Sequence, residues 1–220
     1  SERNKKISRI LKFKSKKIKI IKKNQDIINK SDWVFLAVTP TVGNKILKNL
    51  KFNKSKMIIS FISTINLTQL KKITGLKSNI VRAIPLPPIA LCKGPVPIYP
   101  PNNKVKKFFD KLGSTVEISN EKLSLNFWST SAMMAPFYEI LYSLSNWLVK
   151  KGIKKENAQK YISSLCLALS EDAFNHKKNL KRLVRESQTP GGLNEQAVKD
   201  LRKAGFYRLL EKTSNRIVKS

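Results

Sequence analysis

Histidine, cysteine and acidic residues are all scarce in this chain. His176 is the only histidine in 220 residues. A zinc site built on histidines is therefore excluded by ligand count, and a Ser-His-Asp arrangement could draw on that one residue alone. The two cysteines, Cys92 and Cys166, are far apart in different kinds of segment. They give neither a metal spacing nor a disulfide framework, and a reducing cytoplasm is the expected setting. The longest apolar runs, such as Trp33 to Val38 and Met57 to Ile62, are strand-length and far short of the roughly 20 residues that span a bilayer. The charged N-terminus has no secretory signal pattern. No G-x-G-x-x-G occurs anywhere in the sequence. A metal centre, a membrane span and a ready-made phosphate loop are thus all missing from the expectations.

What is abundant is lysine. Forty-four basic residues face fourteen acidic ones, for a net charge of +30. Such a charge suits nucleic acid or an anionic ligand. The lysines are scattered along the chain, however, and aromatics do not interleave with them as a stacking platform requires. A compositional bias toward Lys, Ile and Asn explains them better than a nucleic-acid footprint. Apolar content of 41% is too high for a disordered chain.

The first part alternates strand-like and helix-like stretches. Asn4 to Phe13 carries Ile7, Ile10 and Leu11 at helical spacing. Ile18 to Ile21 is a short β-branched run, and Asn24 to Asn29 reads as a turn or two of helix. Trp33 to Val38 predicts a strand buried on both faces, followed by a helix over Thr41 to Leu50. Met57 to Ser60 is the next strand, and Leu67 to Ile73 a helix with Gly75 as its C-cap. Asn79 to Ile84 is again β-rich. A proline-rich stretch from Pro85 to Pro101 confines Val96 to Tyr99 to an edge strand. A helix over Lys104 to Leu112, closed by Gly113, precedes a last strand over Thr115 to Ile118. Alternation at this spacing predicts a doubly wound parallel α/β sheet over residues 1–120. From 121 to 220 the pattern is helical: Phe127 to Lys150, Lys154 to Leu180, then, after a break at Thr189-Pro190-Gly191-Gly192, Asn194 to Ala204 and Phe206 to Val218. Apolar faces this broad predict an all-α domain that buries them against a second copy. His176 reads as surface and Tyr138 as core packing.

Four segments, in order, carry a family resemblance. Ser31-Asp32-Trp33-Val34-Phe35-Leu36-Ala37-Val38-Thr39-Pro40 is similar to A-D-x-V-x-L-A-V-K-P. Ser60-Phe61-Ile62-Ser63-Thr64-Ile65 is similar to S-I-A-A-G-I, Val81-Arg82-Ala83-Ile84-Pro85 to V-R-x-M-P, and Thr189-Pro190-Gly191-Gly192 to S-P-G-G. Together they resemble pyrroline-5-carboxylate reductases. The resemblance implies a Rossmann-like domain for NADPH or NADH, a helical dimerisation domain, and reduction of a cyclic imine carboxylate to proline in the cytoplasm. It also implies that the chain starts near the end of the second strand, with the first strand, the glycine-rich turn and the first helix outside it.

The resemblance assigns roles as well. Ser1, Arg3 and Asn4 would meet the adenosine ribose, where an Arg can pair with a 2′-phosphate. Ala37, Val38, Thr39, Pro40 and Ser60 would line the cofactor at the carboxyl edge of the sheet. Thr189, Gly191, Gly192, Leu193 and Asn194 would hold the substrate carboxylate. There, two glycines before a helix leave N–H groups uncovered in a favourable dipole. No acid–base residue is required of the protein, since the cofactor supplies hydride and the fold supplies alignment. Leu86-Pro87-Pro88 replaces the family's Asn-Thr-Pro, and Leu193-Asn194 its two threonines. These departures touch the substrate side and leave open a related imine or keto acid. A non-catalytic basic dimeric binding protein is the reading from another class.

Overall fold

Short β-branched runs build the frame. The structure is a computed structural model that describes residues 4–176 and 179–219. It divides into two units, Ser1–Ser124 and Leu125–Ser220. In the first unit the strands are β1 (Trp33–Leu36), β2 (Met57–Ser60), β3 (Ile80–Ala83), β4 (Pro95–Tyr99) and β5 (Ser114–Glu117). The helices are α1 (Lys5–Lys14), α2 (Asn24–Lys30), α3 (Pro40–Leu47), α4 (Leu67–Thr74) and α5 (Asn103–Phe109).

The strands form one sheet in the order β1-β2-β3-β4-β5. β1, β2 and β3 run parallel, with Leu36 level with Ser60 and Ser60 level with Arg82. β4 is antiparallel to β3 and parallel to β5. Strand alternation sends successive side chains to opposite faces. Val34, Leu36, Ile58 and Ile80 join Ile28 and Leu47 in one core layer. Ile59, Val81, Val96 and Ile98 join Val105 and Phe109 in the other. Ile58 and Ile59 are wholly buried, and each such side chain stabilises the fold by about 1.5–3 kcal/mol.

Helix ends follow the local chemistry. Asn66 caps α4 in a reciprocal capping box with Gln69, and Gly75 terminates it with φ +70. The Asn102 side chain accepts from the Val105 amide to start α5.

Two expectations fail here. Ile18 to Ile21 joins no sheet; its residues are half-buried except Lys19, and the Ile18 amide donates to Ser15 in a turn instead. No neighbouring strand offers it a ladder among the described residues. Likewise β4 is not an edge strand, because β5 pairs its second side. The register explains how prolines are tolerated there. The carbonyls of Gly94 and Ile98 face β5, whereas that of Pro97 faces the β3 side and accepts from Ile84. The N–H groups missing at Pro95 and Pro97 therefore fall toward β3, where the strand register pairs only Ile98 and Tyr99 and Pro97 needs only to accept. The true open side is the outer edge of β1, which no strand pairs among the described residues.

The second unit contains α6 (Ser124–Ser131), α7 (Met134–Lys150), α8 (Lys155–Asn175), α9 (Leu180–Glu186), α10 (Leu193–Lys203) and α11 (Phe206–Lys219). The single helix expected over Phe127 to Lys150 is split. Pro136 sits in the first turn of α7, and its ring excludes the carbonyl four residues back from a continuing helix. α7 and α8 form a hairpin through Gly152, at φ +91, with Ala158 and Ile162 of α8 buried. Much of the α7 surface stays bare: Tyr138 is 63% exposed, Tyr142 61% and Trp147 57%. Tyr138 is thus not core within one chain, because nothing in its own unit covers that side of α7. No described helix is long and apolar enough to cross a membrane.

Candidate functional site

In a parallel sheet, ligands lie outside the carboxyl ends of the strands. β1 and β2 end level with each other, so the turns after them, residues 37–40 and 61–66, come together at one edge. Ala37 and Thr39 are exposed and Val38 is half-buried. The Thr39 carbonyl accepts from Val42 and Gly43, starting α3 at Pro40. Gly43 lets that helix press on the strand ends: a Cβ there would lie 3.3 Å from Ile62 Cδ1 and 3.4 Å from Val38 Cγ2. A cavity of about 590 Å³ opens beside the free edge of β1, lined by Ile27, Ile28, Leu36, Ala37, Val38 and Leu47.

These features suit a dinucleotide along the sheet edge. The turn of small residues, the close-packed α3 and the adjoining hollow allow backbone to approach a ligand. A glycine-rich pyrophosphate turn is not among the described residues.

Ser60 behaves otherwise than expected. It is fully buried, and its Oγ accepts from the Ile62 amide at 3.3 Å. Its hydroxyl therefore organises the turn, while Ser63 and Thr64 face out. Asn4 is the N-cap of α1, its side chain accepting from Ile7 at 3.0 Å. Ser1 and Arg3 lie outside the described residues.

The residues 189–194 belong to the second unit. Gly191 has φ +73, a conformation that favours glycine. The two glycine amides are engaged. Gly191 donates to Glu195 Oε2 at 2.8 Å, and Gly192 to the Thr189 carbonyl at 2.8 Å. The Asn194 side chain donates to the Ser187 carbonyl at 2.9 Å, which withdraws it from the role of a substituted threonine. Glu195 is held below the usual glutamate value, first by its hydrogen bond from Lys199 and then by the Gly191 amide. What faces forward is the start of α10, where the amides of Leu193 and Asn194 have no acceptor among the described hydrogen bonds. The amides left open to an acceptor are therefore one or two residues further along the chain than the two glycines. Leu193 is 82% exposed beside it.

Arg82 and Glu121 were not singled out in the sequence as site residues. Arg82, only 4% exposed, pairs with Glu121 and donates to the Ser63 carbonyl at 2.7 Å. Glu121 also accepts from the Leu67 amide at 2.7 Å. A lone arginine inside a V-R-x-x-P strand was the available signal. His176 is exposed and sits 3.4 Å from Asp172. No group of three or more metal-ligating side chains occurs among the described residues.

Residues 126–220 match the family model described as pyrroline-5-carboxylate reductase dimerisation. Residues 1–64 match the model described as NADP oxidoreductase coenzyme F420-dependent. The chain is 24% identical to a pyrroline-5-carboxylate reductase of Synechocystis over 88% of its own length and 75% of that relative's. It is 23% identical to the enzyme of that name from Escherichia coli, over 83% and 71%. Among solved structures, a pyrroline-5-carboxylate reductase from Coxiella burnetii superposes with a TM-score of 0.83 at 22% identity, over 96% of this chain and 82% of that one. A pyrroline carboxylate reductase from Plasmodium falciparum, solved with NADP bound, gives 0.77 at 22% identity, over 90% and 79%.

Proposed function

We propose that the chain is a member of the pyrroline-5-carboxylate reductase family, as its C-terminal family match and its curated relatives support, and that it reduces 1-pyrroline-5-carboxylate to proline with NADPH or NADH. When bound, the nicotinamide supplies a hydride to the imine carbon, and the ring nitrogen becomes the amine of proline. The chain's own task is placement. Ala37 to Thr39 and the exposed Ser63 and Thr64 offer short side chains and backbone at the sheet's carboxyl edge, against which a flat ring can lie. Ser60, buried beneath, keeps the second turn in shape. The amides of Leu193 and Asn194, at the positive end of α10, attract the substrate carboxylate. A protonated imine needs alignment and exclusion of water more than a proton donor, so a chain with one exposed histidine is adequate.

The observation that carries the reading is the pairing of two edge turns in a chain that follows these reductases over most of its length. Its C-terminal unit is of the dimerisation type, and the bare aromatic side of α7 supports a homodimer or a larger homo-oligomer. A cytoplasmic setting accords with two free thiols.

The test is direct. Purified protein is mixed with NADPH or NADH and the imine, and loss of reduced-nicotinamide absorbance is followed. Turnover of the imine supports the assignment; no oxidation above background with either nicotinamide defeats it. A panel of cyclic imines and short keto acids reads the effect of Leu86 and Leu193 on substrate choice.

A further inference from the structure

Among the described residues Arg82 is the only charged side chain that is buried. It stands in a strand whose four residues are all buried, level with Ser60 on β2 and Tyr99 on β4. Taking a guanidinium out of water is expensive, and a well-packed apolar pair is often as stable as a buried ion pair or more so. Stability alone is therefore a poor reason for a charge here. Its geometry offers a better one.

The guanidinium reaches over the turn after β2. One arm donates to the Ser63 carbonyl and another to Glu121. The same Glu121 oxygen takes the Leu67 amide, the first residue of α4. One ion pair thus pins the 63–67 segment at both ends. Fixing the Ser63 carbonyl also fixes its peptide plane. In a trans peptide the N–H points opposite to the carbonyl, so the Thr64 amide is turned away from the guanidinium. No acceptor meets that amide among the described hydrogen bonds.

We propose that Arg82 and Glu121 are positioning residues for cofactor binding: their ion pair holds the Ser63–Thr64 peptide in the orientation the nicotinamide cofactor meets. This rests on the reductase reading given above. It assigns a role to two side chains that touch neither cofactor nor substrate.

The test uses the full chain with Arg82→Met, Glu121→Gln and the double variant Arg82→Met/Glu121→Leu, which leaves no orphaned charge. The dissociation constant of NADPH is measured by its fluorescence, with kcat, KM and hydrogen exchange of amides 64–67 alongside. Each folded variant is expected to raise the NADPH dissociation constant about tenfold, the scale of one lost charged hydrogen bond. The kcat at saturating NADPH should fall far less, and exchange at 64–67 should quicken. A core control, Leu70→Val, lowers thermal stability without that split between affinity and kcat. Should Arg82→Met fail to fold, the double variant decides. A folded double variant with wild-type NADPH affinity overturns the positioning role while leaving the reductase reading intact. Wild-type protein that binds neither nicotinamide overturns both.

Discussion

Replacing Gly43 tests whether α3 is pressed against the strand ends. Two substitutions pull in different directions. With Gly43→Ala, the helix gains about 1 kcal/mol in propensity. The new Cβ would sit 3.3 Å from Ile62 Cδ1, 3.4 Å from Val38 Cγ2 and 3.7 Å from Ile65 Cδ1. All three are side-chain methyl groups, so a few tenths of an ångström of yielding suffices, and the two effects roughly cancel. With Gly43→Val, two further carbons enter a space already closed. Overpacking of this kind costs about 1–3 kcal/mol, and the β-branch adds a further loss in a helix. A domain near this size shifts its Tm by roughly 4 °C per kcal/mol. The valine variant should therefore melt about 4–12 °C lower, and the alanine variant within roughly 4 °C of wild type. Circular dichroism melts read the difference, and NADPH titration reads displacement of the neighbouring Val38–Pro40 turn. A valine variant as stable as wild type, with unchanged NADPH affinity, would refute the close approach of α3 and the role assigned to it.

Three other outcomes are expected. Glu195 titrates below the ordinary glutamate range because Lys199 and the Gly191 amide stabilise its anion. Its hold on the turn is thus complete above the ordinary value and is lost as pH falls through the lowered one. The Gly191 amide resonance should follow that low midpoint, and titration at the ordinary value would contradict it. Gly192→Ala places a Cβ 2.9 Å from the Thr189 carbonyl oxygen; the start of α10 must shift, so KM for the imine should rise about tenfold with NADPH affinity unchanged. Tyr138→Asp combined with Tyr142→Asp puts charge on one bare side of α7, since residues four apart share a helix face. Light scattering should then report a smaller assembly at unchanged helix content, and an unaltered mass would remove that face from the interface.

The strands after residue 30 were legible because β-branched runs are their own signal. The capping of α4 was legible because Gly75 falls just past its last turn. Ile18 to Ile21 misled because residue type reports a preference for pairing and says nothing of whether a partner strand exists. The prolines of β4 misled because their effect depends on which side each missing N–H faces, and register decides that. At the site, the edge turns could be placed from Val38 and Pro40, but the buried Ser60 could not. A serine's exposure depends on how the next residues fold over it. The Gly191–Gly192 amides looked uncovered in sequence; Glu195, four residues on, reaches back to one of them. Arg82 and Glu121 are 39 residues apart, and no local pattern announces such a pair.

The unpaired side of β1 has a consequence for handling the protein. Trp33-Val34-Phe35-Leu36 has no strand on its outer side among the described residues, and the strip itself has no charge, proline or bulge to blunt it. Such a strip is sticky toward any extended chain, including another copy of itself. Concentrated stocks should cloud or gel as copies zip together there, and thioflavin fluorescence would register the growth. A lysine in place of half-exposed Phe35 should keep the solution clear.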